Sequence, residues 1–171
     1  MLVLVRHAMP AFGPDVPAHE WVLSDEGRTE AAGLVPVLPA GALIVASAEP
    51  KAYQTVEPAG PVVSDERFNE VRRDGEPWES NYRELRRAYV EGENHPGWEP
   101  RAAVAERFDS GINDHLTSGR PLVVASHGMA MTVWLGERIG LADPGDFWAG
   151  LRFPDAHAVD LQRRTITRLR A

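Results

Sequence analysis

The sequence predicts an α/β fold: a three-layer sandwich with a mostly parallel central sheet, helices on both faces, and a C-terminal antiparallel hairpin at the edge. Three observations predict it. Short aliphatic runs recur at Leu2–Val5, Leu43–Ala46 and Leu122–Ala125, each ending in polar or small residues. Helix-like stretches separate these runs, so successive strands need crossover connections and lie parallel, with both sheet faces covered. The late segment AVDLQRRTITRLR breaks that rhythm, because two alternating runs flank a short polar QRR.

Each element has a local reason. Ser24 is placed to cap a helix running through DEGRTEAAGLV, and Glu49 and Pro50 suit the first turn of one through KAYQTVEP. Helices over Arg83–Glu91, Arg101–Leu116 and Met129–Ile139 complete the set. The hairpin strands are expected at Ala158–Leu161 and Thr165–Leu169, with Thr165, Thr167, Arg164, Arg168 and Arg170 forming a solvated face. Pro- and Gly-containing stretches AFGPDVPAHEW, RRDGEPWESN and GENHPGWEP read as loops between core elements.

With 171 residues, the chain is expected to form a single domain, 1–171, around one core. Its 43% hydrophobic and 25% charged content is that of a soluble globular protein, and no apolar run approaches the roughly 20 residues of a membrane helix. Met1–Val5 is too short for the core of a secretory signal, so a cytoplasmic location is expected and no membrane partner. The absence of cysteine excludes disulfides, thiolate nucleophiles and cysteine-ligated metals. A net charge of -7 argues against a nucleic-acid partner, since binding phosphates nonspecifically takes a basic face. A small anionic substrate then needs a local positive pocket.

Two strands end alike. LVLV runs into Arg6–His7, and LVVAS runs into His127–Gly128, which opens a helix. In a parallel sheet such ends share one edge, where open α/β folds hold their ligands. A third run, ALIVAS, leads through Ala48, Glu49 and Pro50 to Lys51 in the first turn of the next helix. A lone strand-end histidine is commonly a hydrogen-bonded structural residue, and a lone lysine a solvated one. Two histidines beside Arg6, Lys51 and a helix N-terminus point instead to an anion site. The remaining histidines, His19, His95, His115 and His157, lack the paired spacing of a metal site, and only His157 stands where it could border the pocket.

VRHAMP, LSDEGRTEA, ASAEPKAYQT, FNEV and ASHGMA, in this order and spacing over nearly the whole chain, resemble the histidine phosphatase superfamily, also called phosphoglycerate mutase-like. The resemblance implies a phosphatase acting on a phosphate monoester, either a small molecule or a phosphoprotein, through a phosphohistidine on His7. It gives Arg6 and His127 the phosphoryl oxygens, and Glu70 the proton for the leaving group, with Glu66, Glu76 and Glu79 as nearby rivals. Gly128 adds backbone N–H groups to the phosphate site, and Lys51 stands where the family usually has arginine. No metal and no cofactor are expected. A mutase-type phosphotransferase and a noncatalytic phosphate-binding protein are the alternatives.

The chemistry calls for these residue types on its own terms. A neutral imidazole is a good nucleophile near pH 7, and neighbouring cations disfavour its protonated form. Phosphoryl transfer is stabilised chiefly by donors around the equatorial oxygens. Protonation of an alkoxide leaving group contributes on the order of 10²–10⁴-fold. Two departures from the family pattern stand out: Ala8 replaces a glycine, placing a methyl where phosphate would approach backbone, and Lys51 lacks the planar fork of arginine. Substrate choice is expected to rest with residues 10–21 and 71–100, which carry Trp21, Trp78, Tyr82, Tyr89 and Trp98 as pocket walls or core covers.

Overall fold

Strand β1 (Leu2–Arg6) lies at the centre of the sheet, parallel to β4 (Leu122–Ser126) on one side and antiparallel to β5 (Asp155–Asp160) on the other. This is the arrangement in a computed structural model, which describes residues 1–76 and 81–170. Adding β2 (Leu43–Ala46), β3 (Val62–Ser64) and β6 (Thr165–Arg168) gives the order β3-β2-β4-β1-β5-β6. The first four neighbours pair in parallel and the last two junctions are antiparallel, with β6 on the edge. The mostly parallel sheet and its edge hairpin are therefore as the sequence predicts.

Alternation along the strands builds two cores. Leu2, Leu4, Leu122 and Val124 point to one face, where they pack with Val104, Phe108, Ile112 and Trp134 of α4 (Arg101–Leu116) and α5 (Gly128–Ile139). Val3, Val5, Val123 and Ala125 point to the other, against Leu34 of α1 (Asp25–Leu34) and Val56 of α2 (Pro50–Val56). All eight strand residues are buried, and burying such a side chain contributes roughly 1.5–3 kcal/mol before chain entropy is charged against it. β1 and β4 are thus fixed from both faces, and their C-terminal ends are firmly placed.

Several local devices hold the edge near those ends. The Ser24 hydroxyl caps α1 by accepting from Gly27 N at 3.0 Å, as its position predicts. A Cβ on Gly27 would collide with the Met9 carbonyl oxygen, so this glycine lets α1 press directly on the segment that follows His7. On the other face, α3 (Tyr82–Glu91) meets the short α6 (Pro144–Ala149), bridged by Arg87 to Asp146, with Glu91 of the same helix also pairing Arg87.

Three details differ from expectation. β5 begins at Asp155 rather than near Ala158, because buried Asp155 is satisfied by Arg168 Nη2 at 2.8 Å and Arg152 N at 3.0 Å. Arg168 accordingly turns inward on that carboxylate, while Thr165 and Thr167 face solvent. β3 and α6 are too short to carry a periodic pattern. No described helix is long and apolar enough to cross a membrane.

Candidate active site

Arg6 and His7 at the end of β1 meet His127 at the end of β4. The His7 and His127 ring centroids are 5.2 Å apart, and both rings are buried. His7 Nδ1 lies 2.8 Å from the Ala8 carbonyl oxygen. A carbonyl only accepts, so Nδ1 carries the proton and the in-plane lone pair sits on Nε2. Burial, then the Lys51 ammonium and Arg6, holds the His7 pKa well below its usual 6.5, with the Ala8 carbonyl opposing. The ring is therefore neutral at pH 7, the form a nucleophile needs.

His127 is held from the second strand. Its Nε2 lies 2.9 Å from Ser47 Oγ, which itself donates to Asn69 Oδ1 at 2.7 Å. The hydroxyl proton being spent, Nε2–H donates to Ser47 and the lone pair of the neutral ring sits on Nδ1. That Nδ1 is buried and has no protein partner, as is Arg6 Nε. Buried polar atoms of this kind are costly unless a ligand or water meets them, and here two lie beside His7. Burial, then Lys51 and His7, keeps His127 well below its usual pKa.

Arg6 is fixed at two points. Its Nη1 donates to Leu151 O at 2.8 Å, and the guanidinium lies 3.6 Å over the Phe153 ring. Phe153 also stands 5.3 Å from His7, so one aromatic side chain floors both groups. Burial lowers the Arg6 pKa to about 10, against the pull of Glu70 and Asp155, and leaves it charged at neutral pH.

Glu70 arrives from the loop after β3. Its Oε1 accepts from Ala130 N and Val71 N, each at 2.9 Å, and its Oε2 accepts from Met129 N at 3.2 Å. The carboxylate thus sits on the first turn of α5, beside His127, where a helix N-terminus favours negative charge. Arg107 of α4 pins this loop by donating to the Arg67, Asn69 and Glu70 carbonyl oxygens and pairing with Glu99. Of the rival carboxylates, Glu66 is exposed and Glu76 is clamped by Arg73 and Arg86; Glu79 lies outside the described residues.

Lys51 is in the first turn of α2 and buried. Its Nζ donates to Ala18 O at 2.6 Å and to Glu49 Oε2 at 2.5 Å. Gly128 begins α5 directly after His127, where an added Cβ would come within 3.4 Å of Arg6 Nε. The Ala8 methyl does not face a ligand position: it is fully buried with Leu23 and Ala31, while Ala8 N donates to Thr55 Oγ1 at 2.8 Å. The structure therefore corrects the expectation of a steric change at Ala8.

Other expectations divide. Tyr89 and Trp98 cover the core, Tyr89 donating its hydroxyl to Glu99 O at 2.7 Å. Trp21 stands 5.9 Å from Lys51 Nζ, and the Tyr82 ring lies under Arg86; Trp78 is outside the described residues. His157 is buried in mid-strand opposite Leu4, against Phe147. Among the described residues, no group of three or more histidine, aspartate or glutamate side chains is arranged to hold a metal ion. Ser47, Glu49, Asn69, Arg107 and Phe153 were not singled out as site residues by sequence. The first two lie inside the ASAEPKAYQT stretch, where an acid two residues before Lys51 was the available signal.

No family model matches the sequence, and no curated protein matches it either. Solved structures do. A mycobacterial glucosyl-3-phosphoglycerate phosphatase is similar at a TM-score of 0.73 and 21% identity, over 98% of this chain and 95% of its own. The same phosphatase in complex with inorganic phosphate gives 0.71 and 22%, over 99% and 95%. TTHB049 from Thermus thermophilus gives 0.72 and 25%, over 99% and 98%. With its mixed sheet order and edge hairpin, the chain has the fold of the histidine phosphatase, or phosphoglycerate mutase-like, superfamily.

Proposed function

We propose that this protein is a phosphatase that hydrolyses a phosphate monoester through a phosphohistidine on His7, without a metal or cofactor. The observation that carries the reading is the 5.2 Å approach of two neutral histidines beside the fixed Arg6 guanidinium. Arg6, Lys51, the Gly128 N–H and His127, which takes up a proton on its unpartnered Nδ1 as the anion binds, surround the phosphoryl oxygens and stabilise the charge that spreads over them in transfer. Nε2 of His7 attacks phosphorus, forming an N–P bond as the ester P–O bond breaks. Glu70 passes a proton, brought in on the monoester, to the departing oxygen and returns to the carboxylate. Water then attacks the phosphohistidine, its proton passes to the Glu70 carboxylate, and the N–P bond breaks to release phosphate.

A phosphatase with this fold is known by name to act on glucosyl-3-phosphoglycerate. We extend to this chain its class of reaction and not its substrate, which is a small phosphorylated molecule or a phosphoprotein. A cytoplasmic location is part of the same proposal. The test is turnover of an aryl phosphate by the wild type and by His7→Ala. Release of phosphate by the wild type alone supports the reading. Equal inertness with retained phosphate binding makes the protein a noncatalytic binder, and isomerisation of 3-phosphoglycerate with its bisphosphate primer, without net phosphate release, makes it a mutase.

A further inference from the structure

The cation at position 51 already has an anion. Glu49 folds its carboxylate against Lys51, with Oε2 2.5 Å from Nζ, and the two side chains are 9% and 6% exposed. Its other oxygen accepts from Glu70 N at 2.8 Å and lies 3.7 Å from His127 Nε2. One acidic side chain therefore touches the cation, the loop that carries Glu70 and the histidine opposite His7. An ammonium has three donors, of which Ala18 O and Glu49 take two, so one N–H is left for a ligand. Its charge, however, is compensated before any ligand arrives.

We propose that Glu49 is a positioning residue that competes with the phosphoryl group for Lys51 and so sets how tightly the site holds a phosphate dianion. The inference rests on the reading of this pocket as a phosphate site. A dianion entering beside His127 meets Arg6 and Lys51, and also a buried carboxylate within a few ångströms. A bare like charge at about 4 Å would cost about 4 kcal/mol, or roughly a thousandfold, at an effective dielectric of ~20; screened by the Lys51 ammonium against it, the carboxylate weakens binding by roughly tenfold to a hundredfold. Phosphate then rests first on Arg6, the Gly128 N–H and His127 once its Nδ1 takes up a proton. Lys51 contributes fully only when it exchanges Glu49 Oε2 for a phosphate oxygen. A cation paired in this way also stays ordered while the site is empty, which fixes Ala18 and the Glu70 loop in place.

The test is calorimetric titration of inorganic phosphate into the wild type, Glu49→Gln, Glu49→Ala, Lys51→Ala and the double variant Glu49→Gln/Lys51→Ala, with folding checked by circular dichroism. Glu49→Gln and Glu49→Ala are expected to bind phosphate roughly tenfold more tightly than the wild type. Lys51→Ala should weaken binding by more than roughly tenfold in the wild-type background, where it bares the Glu49 carboxylate, whereas the double variant, lacking both charges, should bind within about threefold of the wild type. On an aryl phosphate, KM should fall in Glu49→Gln while kcat changes little. A purely structural role for Glu49 gives the opposite sign, since disordering the pocket loosens phosphate. Unchanged or weaker binding in both Glu49 variants overturns the proposal, as does failure of all the proteins to bind phosphate at millimolar concentration. Tighter binding with no turnover by any of them leaves the role of Glu49 standing and removes the phosphatase reading.

Discussion

Replacing Ser47 with alanine should disable the site from behind the strand edge. The hydroxyl accepts from His127 Nε2 at 2.9 Å and Glu49 N at 3.1 Å, and donates to Asn69 Oδ1 at 2.7 Å. Alanine strands two buried donors. The third partner is less affected, because Asn69 Oδ1 keeps its bond from Ala48 N at 2.9 Å. Each stranded buried donor costs about 1–3 kcal/mol, so the two together cost about 3 kcal/mol. For a chain of 171 residues, 1 kcal/mol moves Tm by about 2–4 °C, which gives a drop of about 10 °C. His127 also loses the acceptor that fixes its tautomer, so kcat should fall by on the order of tenfold. Thermal melts followed by circular dichroism, together with aryl phosphate turnover, measure both effects. A melt within about 2 °C of the wild type with unchanged kcat refutes the hydrogen-bond chain from β2 to His127.

Two further outcomes follow from the same geometry. Glu70→Gln should slow hydrolysis of an alkyl phosphate on the order of 10²–10⁴-fold and of nitrophenyl phosphate far less, since a nitrophenolate departs without a proton; equal losses on both substrates would assign Glu70 a structural part only. Stability should fall as pH drops below about 6.5, because His7, His127 and His157 all have lowered pKa values and the unfolded chain takes up protons that the folded one refuses. By pH 5.5 the loss should be on the order of 1 kcal/mol for each of His7 and His127, read as a lower Tm. Glu30, whose pKa is raised by burial and by Glu26, works weakly in the opposite direction, and Asp65, held at about 2 by Arg67 and His115 despite burial, loses its contribution only in stronger acid. A Tm that holds or rises between pH 7.5 and 5.5 contradicts the buried neutral histidines.

The parts of the fold that were readable in the sequence are those with one dominant cause. β1, β2 and β4 are aliphatic because both sheet faces are covered, and Arg101–Leu116 is a helix with the bounds its pattern predicts. The hidden parts depend on partners far along the chain. Asp155 and His157 look unsuited to a central strand until Arg168 satisfies the carboxylate and Phe147 covers the imidazole. The site divides in the same way. Arg6, His7 and His127 are legible because strand ends at one sheet edge converge by topology alone. Phe153 meets Arg6 across 147 positions and Arg107 reaches Glu70 O across 37, distances over which no local pattern reports a contact. Lys51 is legible as a cation near the strand ends, whereas its pairing with Glu49 is not, since an acid two residues from a lysine is ordinarily a solvated neighbour.

The most direct measurement is of the bond the mechanism forms. Rapid quenching of the protein during turnover of a phosphate monoester, followed by peptide mass spectrometry under alkaline conditions, locates any phosphoryl group. The account predicts an acid-labile phosphoryl group on His7 that builds up within one turnover and is absent from His7→Ala, which should release no phosphate. Turnover that persists in His7→Ala, or a phosphoryl group on another residue, would contradict it.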